Sequence, residues 1–227
     1  MNTTMKIHFV AFLDILGFKA LVDREVRSGS GEHLEKLLRC HQKCAEIFKS
    51  DPDLNIIQFS DSIVISRPYD ASHFIPFITS IAEYQRYLLD EQLLCRGGVA
   101  VNQHFTNGTF TFSAGLIDAY NVESKSARYP RVVIAPDVID LIYPNSSPSV
   151  EIVKEDDGLY FIDYIGITKD KRPRLLKQSI RNVVNSLKFS DTSSIREKGI
   201  WLANYSDAIL RTNHTPPKFE GGRIQII

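Results

Sequence analysis

The chain has 227 residues, 43% of them hydrophobic and 10% aromatic, which is enough apolar material for a sizeable core and excludes a disordered chain. Its 27 Lys plus Arg balance 27 Asp plus Glu, so no global positive field draws it toward nucleic acid or an anionic membrane. Three cysteines, at 40, 44 and 95, form no extracellular-type disulfide framework, and the apolar run from Ile7 to Phe18 is too short to span a bilayer and carries Asp14; a cytoplasmic, soluble protein with no nucleic-acid and no membrane partner is expected.

Residues 6–13, KIHFVAFL, are dense in β-formers and read as a buried strand that stops at Asp14, with Gly17 punctuating the turn into a helix. From Ser30 to Ser50 the apolar positions recur at helical spacing, with Ser30 as N-cap and Asp51-Pro52 as the stop. Two β-rich halves at 55–66, NIIQFSDSIVIS, leave room only for a tight turn, which makes a hairpin with Asp61 at its tip. Residues 70–92 read as a helix, 93–101 (LLCRGGVAV) as a strand, and Asn107-Gly108 as a polar loop. A helix over Ala114 to Ala127 and a strand over Arg131 to Ala135 follow.

These elements make an α+β sandwich with a ferredoxin-like core: a mixed, mainly antiparallel sheet with helices on one face. Beyond residue 135 come a short helix at Pro136 to Ile142, a β-hairpin turning at Asp156-Asp157-Gly158, and helices near 173–188 and 192–211. The expected organisation is a catalytic core over 1–135, an extension over 136–211 packed on the same domain, and a poorly ordered polar tail over 212–227. Cys40, His41 and Cys44 lack a second ligand pair and read as helix residues rather than a zinc site.

The segments FLDILGF, 12–18, and FSDSI, 59–63, each set an aspartate where a strand runs out. Neighbouring strands would bring Asp14 and Asp61 to one hard cation, Mg²⁺ or Mn²⁺, whose shell is commonly completed by water and substrate phosphate. Ordinary capping by Asp14 and turn formation by Asp61 are the competing reading.

Strand-Asp-x-x-Gly-Phe followed by a Ser-Asp-Ser hairpin resembles the class III nucleotidyl cyclase superfamily, as do Arg96-Gly97-Gly98-Val99 and Ala119 to Ser124, all in the family's order over residues 6–135. The resemblance implies two metal ions on a set made of Asp14, Ile15 and Asp61, in-line attack of a 3′-hydroxyl on the α-phosphorus, and release of pyrophosphate. It also implies a homodimer with its sites at the interface, and substrate contacts from the turn Ile15, Leu16, Gly17 and Phe18. The family's two base-reading positions fall on Ile57 and Phe112, apolar here, which suits a smaller base. Its transition-state Asn and Arg fall on Ile117 and Asn121. Another cation is then needed: Lys125, one helical turn beyond Asn121, is the favoured candidate, with Arg96 or Arg128 also within reach of phosphate.

These departures, with AY-x-x-E at 119–123, YPR at 129–131, GLYFIDYIG and WLANY, resemble the pyrimidine cyclases of bacterial Pycsar antiphage systems. That implies a nucleoside triphosphate substrate, UTP or CTP, a cyclic UMP or cyclic CMP product, and a separate effector protein that senses it. A catalytically silent cyclase-homology module, and a two-metal enzyme of another class on a similar sheet, are the alternatives.

Overall fold

The computed structural model describes residues 4–49, 51–108, 110–166 and 173–217. Its centre is β1 (Lys6–Ile15), hydrogen-bonded on both sides and antiparallel to β3 (Ser62–Pro68) and β4 (Cys95–Thr106). With β2 (Asn55–Phe59), β5 (Thr111–Ser113), β6 (Val132–Ile134), β7 (Ile152–Lys154) and β8 (Tyr160–Ile162), the sheet runs β2-β3-β1-β4-β6-β8-β7, and β5 pairs with the far end of β4. Among the described residues, only the β4–β6 pair is parallel. The pairing of β6 with β8 carries the sheet across residue 135.

A central strand must satisfy two apolar layers, which is why β1 reads as a continuous hydrophobic run. Phe9, Ala11, Leu13 and Ile15 point into the larger core. That core is closed by α2 (Glu32–Phe48), α3 (Phe74–Asp90), α5 (Pro136–Ile142), α6 (Pro173–Lys188) and α7 (Ser193–Leu210). Val10 and Phe12 point the other way, into a smaller cluster with Val64, Ala100 and Ala119 under α4 (Ala114–Ser126).

Three boundaries differ from the sequence reading, each for a local reason. Ser30 is not the cap of α2; Gly31 is, at φ +80°, because the Glu25 carboxylate from α1 (Phe18–Ser28) accepts the Gly31 and His33 amides at 2.5 and 2.9 Å. The strand expected to end at Val101 runs on to Thr106 and turns back as β5, with Asn107 Oδ1 accepting the Phe110 amide at 2.8 Å. At the start of the expected tail, Asp207 accepts from Thr212 Oγ1 (2.6 Å) and from the His214 and Thr215 amides (2.8 and 2.9 Å), which ties residues 212–215 to α7. Residues 218–227 lie outside the described residues.

Candidate active site

The β1 register sets the site. Asp14 stands opposite Ser62 on β3 and Arg96 on β4, on the side of β1 that carries Val10 and Phe12 rather than the larger core. Asp61 occupies the two-residue turn between β2 and β3, after Ser60 at φ 55°, a conformation uncommon outside glycine and asparagine. The Ile15 amide donates to the Asp61 carbonyl at 2.9 Å and fastens that turn to the end of β1. The two aspartates therefore share one end of the sheet.

Arg96 Nε lies 3.1 Å from Asp14 Oδ2 and 2.7 Å from Glu123 Oε1 on α4. Glycine makes this approach possible: a Cβ at Gly98 would overlap the Ala119 carbonyl oxygen, and one at Gly115 would stand 2.8 Å from Val10 Cγ2. Gly115, Ala119 and Glu123 follow one another at four-residue steps along the buried side of α4. Burial pushes the Asp14 carboxyl up; Arg96 opposes that push and the charge of Asp61 adds to it. Glu123 is raised for the same first reason, with Arg96 opposing and Asp14 adding.

The remaining expected residues divide. Ile57 packs with Leu116 against the smaller cluster, on the Asp14 side of the sheet. Ile15 is buried in the larger core, and with Phe18 lines a cavity of about 100 Å³ with Leu37, Cys40, Tyr84 and the β2–β3 turn. The Leu16 amide is already given to the Leu94 carbonyl at 2.8 Å. Gly17 starts α1 at φ +80° with open space where a Cβ would be, so the left-handed backbone, not a close approach, calls for glycine. Phe112 and Ile117 are 62% and 63% exposed, and Asn121 is half-buried.

Lys125 sits two positions from Glu123 and so projects from the far side of α4. There it lines a groove of about 590 Å³ with Arg128, Tyr129, Arg131, Glu155 and Trp201. Within one chain it does not join Asp14.

Two further residues lie beside Arg96. Glu123, which in the sequence belongs only to the AY-x-x-E pattern, is an ion-pair partner of Arg96. Lys198 on α7 is held below the usual lysine range by burial and then by the charge of Arg96, and it donates to Ser194 Oγ at 2.8 Å. Its approach depends on the packing of α7, which no local spacing reveals.

Among the described residues, no group of three or more His, Cys, Asp or Glu could hold a metal ion, so a closed protein cage is not formed, and Cys40 and Cys44 are buried helix residues. The open pair Asp14 and Asp61, half-exposed and close enough for one charge to act on the other, fits a hard dication that takes its remaining ligands from water and phosphate.

The chain matches no protein-family model and no curated protein. Its fold is that of class III cyclases. A bacterial light-regulated adenylyl cyclase superposes with a TM-score of 0.50 at 13% identity, covering 79% of this chain and 99% of that one. The adenylyl cyclase CyaB from P. aeruginosa gives 0.51 at 14% identity, over 71% and 96%. The guanylate cyclase domain of RhGC from Catenaria anguillulae, solved in complex with GTP, gives 0.50 at 14%, over 69% and 96%. No helix among the described residues is long and apolar enough to cross a membrane.

Proposed function

We propose that this chain is a nucleotidyl cyclase that converts a pyrimidine nucleoside triphosphate, UTP or CTP, to its 3′,5′-cyclic nucleotide and pyrophosphate. The observation that carries this reading is the placement of Asp14 and Asp61 together at one end of a cyclase-type sheet, with Arg96 directly across the ladder from Asp14.

Asp14 and Asp61 would hold Mg²⁺ or Mn²⁺, two ions by analogy with the superfamily, with Ile15 contributing beside them. Bound there, the metals supply Lewis acidity toward the 3′-hydroxyl and the triphosphate. The chain's own share is orientation and charge. Arg96 brings a cation to the phosphates, and the apolar Ile57 and Phe112 leave no hydrogen-bonding handle for a purine edge. Hydrogen-bonding pockets reject substrates that leave them unpaired, so an apolar base pocket suits a small ring read by few groups.

The reading includes a homodimer. Phe112, Ile117 and Tyr120 leave 62%, 63% and 52% of their surface exposed at β5 and on the outer side of α4, an apolar area suited to a second copy. Across that interface Asn121 and Lys125 of one copy would serve the aspartates of the other. The Pycsar-like motifs extend the reading to antiphage signalling, with the cyclic nucleotide sensed by a separate effector protein in the cytoplasm.

A second reading, a silent nucleotide-binding or dimerisation module, is favoured by Ile117 and Asn121 at the family's transition-state positions. Incubating the purified protein with each of the four NTPs and Mn²⁺, beside Asp61→Ala, decides between them. Cyclic UMP or cyclic CMP from wild type alone supports the proposal. A cyclic purine as the main product rejects the pyrimidine assignment, and no product from any NTP rejects the activity.

A further inference from the structure

One guanidinium nitrogen, Arg96 Nε, serves two carboxylates on different elements, Asp14 on β1 and Glu123 on α4. The partners are unlike. Asp14 keeps 21% of its side-chain surface open, Glu123 only 3%. The Asp14 contact has hydrogen-bond geometry, whereas Glu123 Oε1 is buried, ion-paired, and without a hydrogen bond. A buried carboxylate oxygen with acceptor capacity unused is costly unless it is filled in some state of the protein. The Glu123 backbone lies close over β4, its amide nitrogen 2.8 Å from the position a Cβ on Gly98 would take.

Resting on the assignment of Asp14 as a metal ligand, we propose that Glu123 is a positioning residue, the buried seat to which Arg96 moves its hydrogen bond when a divalent cation takes Asp14. Arginine and metal then exchange at Asp14 instead of excluding each other. Without Glu123, the cation would have to break an Arg–Asp pair that finds no replacement. With it, the guanidinium trades one carboxylate for another and stays beside the site, where a phosphate can meet it.

The test is Mn²⁺ binding to the full chain without nucleotide, followed by electron paramagnetic resonance, in wild type, Arg96→Gln, Glu123→Gln and the double variant. Arg96→Gln is expected to tighten Mn²⁺ roughly tenfold, the equivalent of one charged hydrogen bond removed from Asp14. Glu123→Gln is expected to weaken it by a similar factor, and to change it less than about threefold in the Arg96→Gln background, because its effect passes through the arginine. An equal loss in both backgrounds overturns the proposal, as does Mn²⁺ binding that is unchanged or weaker in Arg96→Gln, a comparison that stands even if Glu123→Gln fails to fold. Cyclic-nucleotide formation by wild type is measured in parallel. Coupling in the metal cycle with no cyclic product refutes the cyclase reading alone; product with additive metal effects refutes the exchange alone.

Discussion

Gly98 lies directly beneath Ala119: a Cβ on Gly98 would overlap the Ala119 carbonyl oxygen and stand 2.8 Å from the Glu123 amide nitrogen. Both obstacles are backbone, which cannot rotate aside as a side-chain end would. Gly98→Ala therefore has to lift α4 from β4 and draw Glu123 away from Arg96. Overpacking of this kind costs about 1–3 kcal/mol, and more when backbone must move. For a chain of this size that lowers the melting temperature by roughly 2–4 °C per kcal/mol. Gly108→Ala is the control, since its Cβ meets open space at φ +90° and only local strain is added. A Gly98→Ala protein as stable as wild type would mean that α4 sits higher than described.

Asp61 belongs to a turn whose attachment to β1 is made by its backbone carbonyl, not its side chain. Asp61→Ala should accordingly leave the unfolding free energy in urea within about 0.5 kcal/mol of wild type, as for a surface change. Turnover, in contrast, should fall by at least about a hundredfold, the scale on which single charge-stabilising groups act. Equal activity in the variant would remove the two-carboxylate site.

Acid should unfold the protein through two separable windows. Burial and then neighbouring His8 push His104 down to about 4, and Ser113 Oγ, which caps α4 by accepting the Leu116 amide at 2.8 Å, lies 2.7 Å from His104 Nδ1. A histidine depressed in the fold contributes stability that is complete above its unfolded value of 6.5 and is lost as pH falls toward 4. Asp207 is brought to about 2, burial notwithstanding, by hydrogen bonds from Thr212, Thr215 and His214. Its contribution is complete above 3.8 and is lost as pH falls toward 2. Melting temperature against pH should show both steps; His104→Gln should flatten the upper one and Asp207→Asn the lower one, the latter also exposing residues 212–217 to protease.

What the sequence made legible was the local part of the site. Asp14 and Asp61 stand out because a strand must end and a hairpin must turn, and both events leave marks within a few residues. The Arg96–Asp14 pair is set by the β1–β4 register, a non-local pairing that neither strand spells alone. Glu123 does not stand out in the sequence, because an acid on a helix ordinarily faces water. The seam of Gly115, Ala119 and Glu123 carried the opposite message, since small residues four apart mark the side of a helix that touches a sheet. The same seam puts Lys125 on the outer side, so a cation chosen by its spacing from Asn121 alone lands in the groove beside Arg128 and Trp201. The extension of β4 and its pairing with β5 are hidden in the sequence because Asn102, Gln103 and His104 interrupt the apolar run, although His104 is buried against Ser113.

Arg131 tests how firmly the extension is tied to the core. Its fully buried guanidinium pairs with Glu155 and with Asp157 (2.5 Å), and donates to the Ser126 carbonyl at 3.0 Å at the end of α4. Glu155 in turn accepts from Trp201 Nε1 at 2.6 Å, so one arginine links α4, the β7–β8 turn and α7. Arg131→Met keeps much of the volume and leaves two carboxylates without their cation, a change expected to cost about 3–5 kcal/mol in urea unfolding. Burial opposes it, but Arg131 holds Asp157 below its ordinary range, so that acid should titrate higher in the variant. A loss under about 1 kcal/mol would mean that the network is solvated and replaceable.

Ile117 faces outward from α4 with 63% of its surface exposed, between Phe112 on β5 and Tyr120 one turn away. Replacing it with Glu adds a charge where no core contact is lost, so a monomer should keep its unfolding free energy within about 0.5 kcal/mol. If this face meets a second copy, the charge must be desolvated on assembly, and light scattering should show a dimer becoming a monomer with turnover falling in proportion. Mixing inactive Asp61→Ala with Lys125→Ala sharpens the outcome. Sites built from the aspartates of one copy and the lysine of the other recover in the mixed dimer, in which one of the two sites is intact, while sites built within a single chain gain nothing from mixing.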